Sequence, residues 1–374
     1  MIISGFDWQN AKVLVTGASG FKGAWLCAAV RQLGAQVYGT VRSQPHPASA
    51  YKIFGLDDIV VAAAIDVSDH QQVYDLVNSI EPDVIFHLAA KALVPVGLRD
   101  PRRTFDVNIN GTLNIIEACR KLRVCSRMLV CSTDHVFGNV EPFNLPQGGF
   151  KEDARVSYGG PYDTSKAAME LLVRSYHYTF WSELPAIGIT RCANVFGFGD
   201  TNSRRIIPEF VSSAKRDRFI KVKYKRNGRQ FIYVTDAVAG YIYAVSNLAE
   251  GGHRKKDRQP KPPGRVPFTP TFHFAIENYE GTQEPYIEAG GVAELAAKLF
   301  GADVDLSGAD YAPNENRIQA LNCAATRKNL GWEPKFSLSQ GLNRLGQWYE
   351  SRNDSSELRK MMQDDVETLT STLR

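Results

Sequence analysis

The stretch Leu129 to Asn139, LVCSTDHVFGN, sets Thr133, Asp134 and His135 side by side where an apolar run gives way to a polar turn. A hydroxyl, a carboxylate and an imidazole in succession fit two readings. One is a capped turn, with the Asp bonded to backbone N–H groups and the His in solvent. The other is a site of proton transfer, where an acid and a base reach one substrate. A second pair lies in PYDTSKAAME, where Tyr162 and Lys166 stand four residues apart and so share one face of a helix. A cationic Lys close to a phenol lowers the phenol's pKa toward working pH. Of the 15 tyrosines, Tyr162 alone has Lys four residues on. Chance could give one such pair, so its weight comes from its place after the fifth strand.

A third feature is VLVTGASGFKGAWL, with Gly17, Gly20 and Gly23 in a GxxGxxG spacing between an apolar run and a helical segment. Glycines let the backbone turn sharply and approach a pyrophosphate, whose charge sits at a helix N-terminus. The plain alternative is a tight strand-to-helix turn. The next strand ends in YGTVRS. It lacks the acidic residue that would hold the adenosine ribose and select NAD, and it offers Arg42, which suits a 2′-phosphate. The expected cofactor is therefore NAD or NADP, with Arg42 favouring NADP unless it is simply solvated. Asp66, ending VVAAAID, fits an adenine contact or a cap on the next turn.

These residues need elements to position them. KVLVTG, QVYGTVR, DIVVAAAID, DVIFHLAA, RMLVCST and PAIGITRC read as six strands, with helical segments between most of them. TFDVNINGTLNIIEACRKL and YDTSKAAMELLVRSYHYTF read as the long helices. Strands alternating with helices predict an α/β fold, a Rossmann-type doubly wound parallel sheet covered on both faces. After about residue 195 the rhythm breaks, which predicts a smaller mixed α/β C-terminal substrate domain. The expected division is 1–190 with roughly 229–250 for the dinucleotide domain, and 191–228 with roughly 251–374 for the substrate domain. Residues 251–270 carry Arg254, Lys255, Lys256, Arg258, Lys261 and Arg265 among prolines. That composition fits an exposed loop, with a phosphate-facing lid as the alternative. In the last segment Leu358, Met361, Met362, Val366 and Leu369 fall on one helical face, which packs on the body or on a partner, or frays.

Composition narrows the partners. A net charge of +4 over 374 residues suits an anionic small molecule at least as well as nucleic acid, and no nucleic-acid partner is expected. The six cysteines show no CxxC and no zinc-like spacing, so no metal is expected and a reduced, cytoplasmic setting is. No charged leader precedes a long apolar stretch, and no run of about 18 apolar residues suggests a membrane.

The glycine loop, HLAA at His87 to Ala90, NINGT at Asn108 to Thr112, STDHVFG and the Tyr162/Lys166 pair together resemble the extended short-chain dehydrogenase/reductase (NAD-dependent epimerase/dehydratase) family, whose enzymes act on nucleotide-linked sugars. The likeness continues through RCANVFGFGD, RRIIP, GRQFIYVTDAVAGY and LGWEPKFSL, covering most of the chain outside the basic stretch and the tail. Within the family it is most similar to the CDP-glucose 4,6-dehydratases. The resemblance implies an oxidising triad of Thr133, Tyr162 and Lys166. It implies dinucleotide contacts from Gly17, Gly20, Phe21, Gly23, Leu88, Ala89, Ala90, Lys91 and Asn108, beside Arg42, Asp66, Tyr162 and Lys166. It implies a nucleotide-diphosphate sugar held by Asn194, Arg229 and one of Arg204 and Arg205. As plain alternatives, Asn194 caps a turn and Arg229 pairs with Asp236. Dehydratases of the family add an Asp followed by Glu or Lys; here Asp134 is followed by His135, a departure.

The implied chemistry is C4 oxidation, with Tyr162 taking the O4 proton. A base then takes the acidified C5 proton, an acid protonates the departing C6 hydroxyl, and hydride returns to C6. Asp134 would be the acid and His135 the base. An acid must keep its proton, which needs burial to raise its pKa. A 4-epimerase would need the triad and not the acid/base pair. A non-catalytic dinucleotide sensor ranks last, since both Tyr162 and Lys166 are present. The family also implies a homodimer through the long helices starting near Phe105 and Tyr162. The base and the hexose are left open.

Overall fold

The computed structural model describes residues 1–248, 269–313 and 315–373. The basic stretch thus lies outside the described residues apart from Thr269 and Pro270. Short apolar runs form the expected strands: β1 (Lys12–Thr16), β2 (Gln36–Thr40), β3 (Val61–Ala63), β4 (Val84–His87), β5 (Arg127–Cys131) and β6 (Ala186–Cys192). A seventh, β7 (Thr271–Phe274), completes a sheet in the order β7-β6-β5-β4-β1-β2-β3 with every pair parallel. Successive side chains alternate between the faces. Val13, Val15, Leu129 and Cys131 enter one core, and Leu14, Met128 and Val130 the other. Both faces are covered, as a parallel sheet requires.

The helices that matter for the site are α1 (Phe21–Gln32), α2 (Gly111–Leu122), α3 (Pro161–Phe180), α4 (Val234–Ser246) and α5 (Ser355–Thr372). The strand order departs in opposite directions from β1, toward β2 on one side and β4 on the other. In such a sheet the crevice at the carboxyl ends of those strands is where ligands bind. The glycine loop, the HLAA turn and the Thr133–His135 turn all lie at carboxyl ends of the sheet.

Two elements fall across the expected division. The seventh strand falls beyond residue 250, inside the span assigned to the substrate domain, yet it pairs with β6 in register Thr271–Ile189 through Phe274–Cys192. The terminal helix α5 also packs against α1 and α4 of the large unit, burying Leu358, Met362, Val366 and Leu369. The C-terminal span therefore serves both units. The smaller unit is mixed: Asn194–Phe196 pairs in parallel with Phe231–Tyr233, and Gly228–Arg229 pairs antiparallel with Ile287–Glu288.

The long helix expected from Thr104 onward is interrupted. Pro101–Phe105 passes through a π-helical turn at Asp106–Asn110 before α2 begins. Such wide turns redirect side chains. Here Asn108 is buried and reaches the Lys91 backbone and Ser165 Oγ.

A buried ion pair anchors α3 to the sheet. Both carboxylate oxygens of Glu170 receive Arg191, from Nε at 2.9 Å and Nη2 at 2.7 Å, with both side chains essentially inaccessible. Arg191 also lies over the Phe137 ring and beside His273. Breaking a buried pair by removing one member leaves an uncompensated charge. Glu170→Ala is expected to cost about 3–5 kcal/mol in urea unfolding; a loss below about 1 kcal/mol would show that the pair does not fasten this helix.

Candidate active site

The glycine loop is shaped by close approach. Gly17 has φ +74°, and a Cβ there would sit 3.0 Å from the Ala89 amide nitrogen. A Cβ on Gly23 would fall 2.2 Å from the Gly17 carbonyl oxygen. The Gly17 N–H donates to Thr40 Oγ1 at 2.8 Å, so the residue closing β2 serves the loop. Helix α1 starts after Gly20 with no side-chain cap, leaving its first N–H groups for a ligand. These features fit a pyrophosphate. Gly17, Gly20, Phe21, Gly23, Arg42, Asp66, Leu88, Ala89 and Ala90 all line one cavity there.

Asp66 closes the turn that follows it. It borders that cavity, and its Oδ1 receives the Ser68 N–H at 3.0 Å and hydroxyl at 2.8 Å. Its Oδ2 pairs with Arg103. Burial raises its pKa, but the Ser68 bonds and the Arg103 and Arg42 charges outweigh it and hold the carboxylate below its ordinary range. Lys91 and Asn108 do not line the cavity. They act behind it, tying the HLAA turn to α3 through Ser165, whose hydroxyl donates to the Tyr162 carbonyl. A buried polar string continues this support. The Leu88 and Ala89 N–H groups donate to Thr16 Oγ1, which lies 2.8 Å from His87 Nδ1. His87 Nε2 lies 3.0 Å from Thr112 Oγ1, which donates to the Asn108 carbonyl. With Thr112 donating onward, Nε2 carries the imidazole proton and Nδ1 accepts from Thr16. Burial and the Lys166 charge hold His87 neutral, its pKa pushed down to about 3.

A second cavity adjoins the first, and Lys22, Ala92 and Arg205 line both. It is bordered by Thr133, Asp134, His135, Tyr162, Asn194, Arg204, Arg205 and Arg229. The structure thus brings together the residues that the sequence held apart by up to about a hundred positions. Asp134 follows β5 in a short 3-10 turn capped by Thr133, and it is 4% exposed. Its Oδ1 receives the Thr133 hydroxyl at 3.0 Å, and its Oδ2 is buried with no protein partner among the described residues. Burial raises its pKa, opposed by His135, Thr133 and Arg229. A capped turn alone does not explain an oxygen left this way, because an unsatisfied buried acceptor is costly.

The Tyr162/Lys166 geometry departs from expectation. Both are buried, but the Lys166 amine donates to the Cys131 carbonyl at 2.7 Å at the end of β5. Burial pushes Lys166 down to about 8 and Tyr162 up to about 12. The main influence lowering the phenol's pKa is Thr133, beside it, rather than Lys166. Arg229 pairs with Glu315 at 3.5 Å and donates to the Gly228 and Arg317 carbonyls, not to Asp236, which instead accepts from the Phe336 N–H. Asn194 donates to the Gln230 carbonyl at 3.2 Å.

Sequence reasoning missed Asp163, Lys22 and Glu315. Asp163 follows Tyr162 directly and its Oδ1 lies 2.9 Å from His135 Nδ1. Lys22, inside the glycine loop, lies between both cavities with its amine 3.2 Å from the Tyr241 hydroxyl. Both stand within quoted motifs, so a residue-by-residue check of charge inside each motif would have flagged them. Glu315 carries no local signal.

The Asp134 shift has a sign that can be tested. Its folded pKa is raised above the ordinary 3.8, so the folded state binds the proton more tightly than the unfolded chain. Its contribution to stability is then lost as pH rises from 3.8 through the raised value. Unfolding of Asp134→Asn and the unsubstituted protein across pH should show the difference shifting in the variant's favour over that window. A difference independent of pH would contradict the burial argument.

A sequence model of the NAD dependent epimerase/dehydratase family matches residues 13–256. The CDP-glucose 4,6-dehydratase of Salmonella typhimurium is 25% identical over 352 residues, covering 92% of each chain. The UDP-glucuronate 4-epimerase of Thermodesulfobacterium geofontis is 24% identical, covering 90% of this chain and 95% of that one. Among solved structures, a dTDP-glucose 4,6-dehydratase from Bacillus anthracis in complex with NAD superposes with a TM-score of 0.72 at 20% identity, covering 94% of this chain and 99% of that one. By its sequence, and in keeping with its fold, the chain belongs to the NAD dependent epimerase/dehydratase family.

Proposed function

We propose that the protein is a nucleotide-sugar 4,6-dehydratase with a CDP-glucose-like substrate favoured. The observation that carries this reading is Asp134, a buried carboxyl with a raised pKa and one oxygen unpartnered among the described residues, bordering the same cavity as Tyr162 and His135. A 4-epimerase would use Thr133, Tyr162 and Lys166 and has no task for a buried acid. The likeness to 4-epimerases and the replacement of Glu or Lys by His135 support that alternative. A dinucleotide sensor without activity is disfavoured by the presence of both Tyr162 and Lys166.

The glycine loop and the uncapped start of α1 would hold the pyrophosphate of NAD or NADP, with Asp66 and Arg42 at the adenosine end. Arg42 and the absence of an acid at the end of β2 favour NADP; the NAD found in solved relatives favours NAD. When bound, the dinucleotide supplies the hydride acceptor for C4 and the donor for C6. Tyr162, beside Thr133, takes the O4 proton as the phenolate, which the positive charge of a bound oxidised dinucleotide would favour against the burial that raises its pKa. The resulting ketone acidifies C5. His135 removes the C5 proton while Asp134, still protonated, delivers its own to the C6 hydroxyl, which leaves as water. Asn194 and Arg229 orient the nucleotide diphosphate. Arg205 is paired with Asp200, whereas Arg204 is exposed with no ion pair among the described residues, so Arg204 is assigned to the diphosphate.

A homodimer is also proposed. Helix α3 exposes Leu171 at 57% and Tyr178 at 70%, two turns apart on one side, where a second copy would cover them.

The deciding assay incubates the protein and each dinucleotide with CDP-, GDP-, UDP- and dTDP-hexoses. Loss of one water, with the alkaline absorbance of a 4-keto sugar, is expected. A product of unchanged mass and altered stereochemistry would overturn the dehydratase reading. His135→Ala is expected to slow exchange of solvent deuterium into C5 on the order of 100-fold, with a much smaller effect on dinucleotide reduction. Equal effects on both steps would reduce His135 to orienting substrate.

A further inference from the structure

The imidazole proposed as the C5 base is not solitary. His135 Nδ1 lies 2.9 Å from Asp163 Oδ1. Asp163 is 5% exposed and is not among the residues lining the substrate cavity, whereas His135 is. The carboxylate therefore sits behind the ring as seen from the substrate. A carboxylate accepts and does not donate, so the Asp163 contact requires the proton on Nδ1 of the neutral ring. That leaves the lone pair on Nε2. The ring stands edge-on to Tyr162, centroids 5.5 Å apart at 73°. The Asn316 amide, 3.5 Å from Nδ1, flanks the same nitrogen.

The local chain is built to keep Asp163 there. Asp163 follows Tyr162 in the first turn of α3, so the phenol and the carboxylate are carried by one rigid helix end. A Cβ on Gly159 would fall 2.4 Å from Asp163 Oδ2, so only glycine allows the preceding loop to press against the carboxylate. That loop is closed on the helix by Thr164, whose hydroxyl accepts from the Gly159 N–H at 3.2 Å and donates to the Gly159 carbonyl at 3.1 Å.

We propose that Asp163 is the positioning residue for His135, fixing the tautomer that presents Nε2 to the substrate and pairing with the imidazolium formed when the C5 proton is taken. This rests on the dehydratase reading above. In the step, the C5–H bond breaks and its electron pair becomes the C5–C6 double bond. The C6–O bond breaks and the hydroxyl leaves as water with the Asp134 proton. His135 passes the C5 proton to solvent and, once hydride has returned to C6, delivers a solvent-derived proton to C5. A carboxylate–imidazole pair thereby does the work of a single basic side chain, and the charge that appears on the ring is met by one already in place.

The test uses the full-length protein with the sugar nucleotide it turns over. Asp163→Asn keeps the shape and removes the charge. It is expected to slow C5 deuterium exchange about 10- to 100-fold, while single-turnover dinucleotide reduction stays within about threefold of the unsubstituted rate. The double variant His135→Ala/Asp163→Asn should be no slower at exchange than His135→Ala alone, because groups acting as a unit are not additive. Gly159→Ala, which displaces the carboxylate without altering charge, should reproduce the selective loss should Asp163→Asn fail to fold. Equal slowing of both steps, or full additivity in the double variant, overturns the proposal and leaves the dehydratase reading standing. A wild-type protein that turns the sugar over with neither C5 exchange nor loss of water overturns both.

Discussion

The burial of Asp134 is the constraint on which the rest of the site depends. A carboxyl at the end of β5 with one hydrogen bond from Thr133 and one oxygen without a protein partner among the described residues is costly as an anion. Burial raises its pKa and so favours the protonated form, which the proposed acid role needs. His135, Thr133 and Arg229 pull the other way, so the group is held between two opposing influences.

The surrounding structure keeps that arrangement in place. The sheet aligns the ends of β1, β4 and β5, and the string from Ala89 through Thr16, His87 and Thr112 to Asn108 holds the turn after β4. The π turn lets Asn108 reach α3 through Ser165. The Glu170–Arg191 pair holds the same helix to β6. Helix α3 is thus fixed along its length, and its first turns carry Tyr162, Asp163 and Lys166. Precision at the chemistry comes from polar contacts one layer behind it.

Much of this was legible in the sequence. Five of the six strands announced themselves because parallel strands buried on both faces read as short apolar runs; β3 is an apolar run at the edge, with Val61 exposed. The seventh, Thr271–Phe274, carries His273 and follows a basic, proline-rich stretch, so nothing local marked it as core. The catalytic candidates were legible because each is tied to a strand end or a helix face. What the residues touch was not. Lys166 reaches a carbonyl of β5, Arg229 reaches Glu315, and Asp163 reaches His135 across 28 positions. Such contacts depend on how turns fold against one another, which spacing along the chain does not encode.

The central claim is that hydride removed from C4 is returned to C6 after water has left. It is tested most directly with the sugar nucleotide deuterated at C4. The account predicts a 4-keto product with that deuterium in the C6 methyl group and solvent hydrogen at C5. Deuterium retained at C4 in a product of unchanged mass would contradict it.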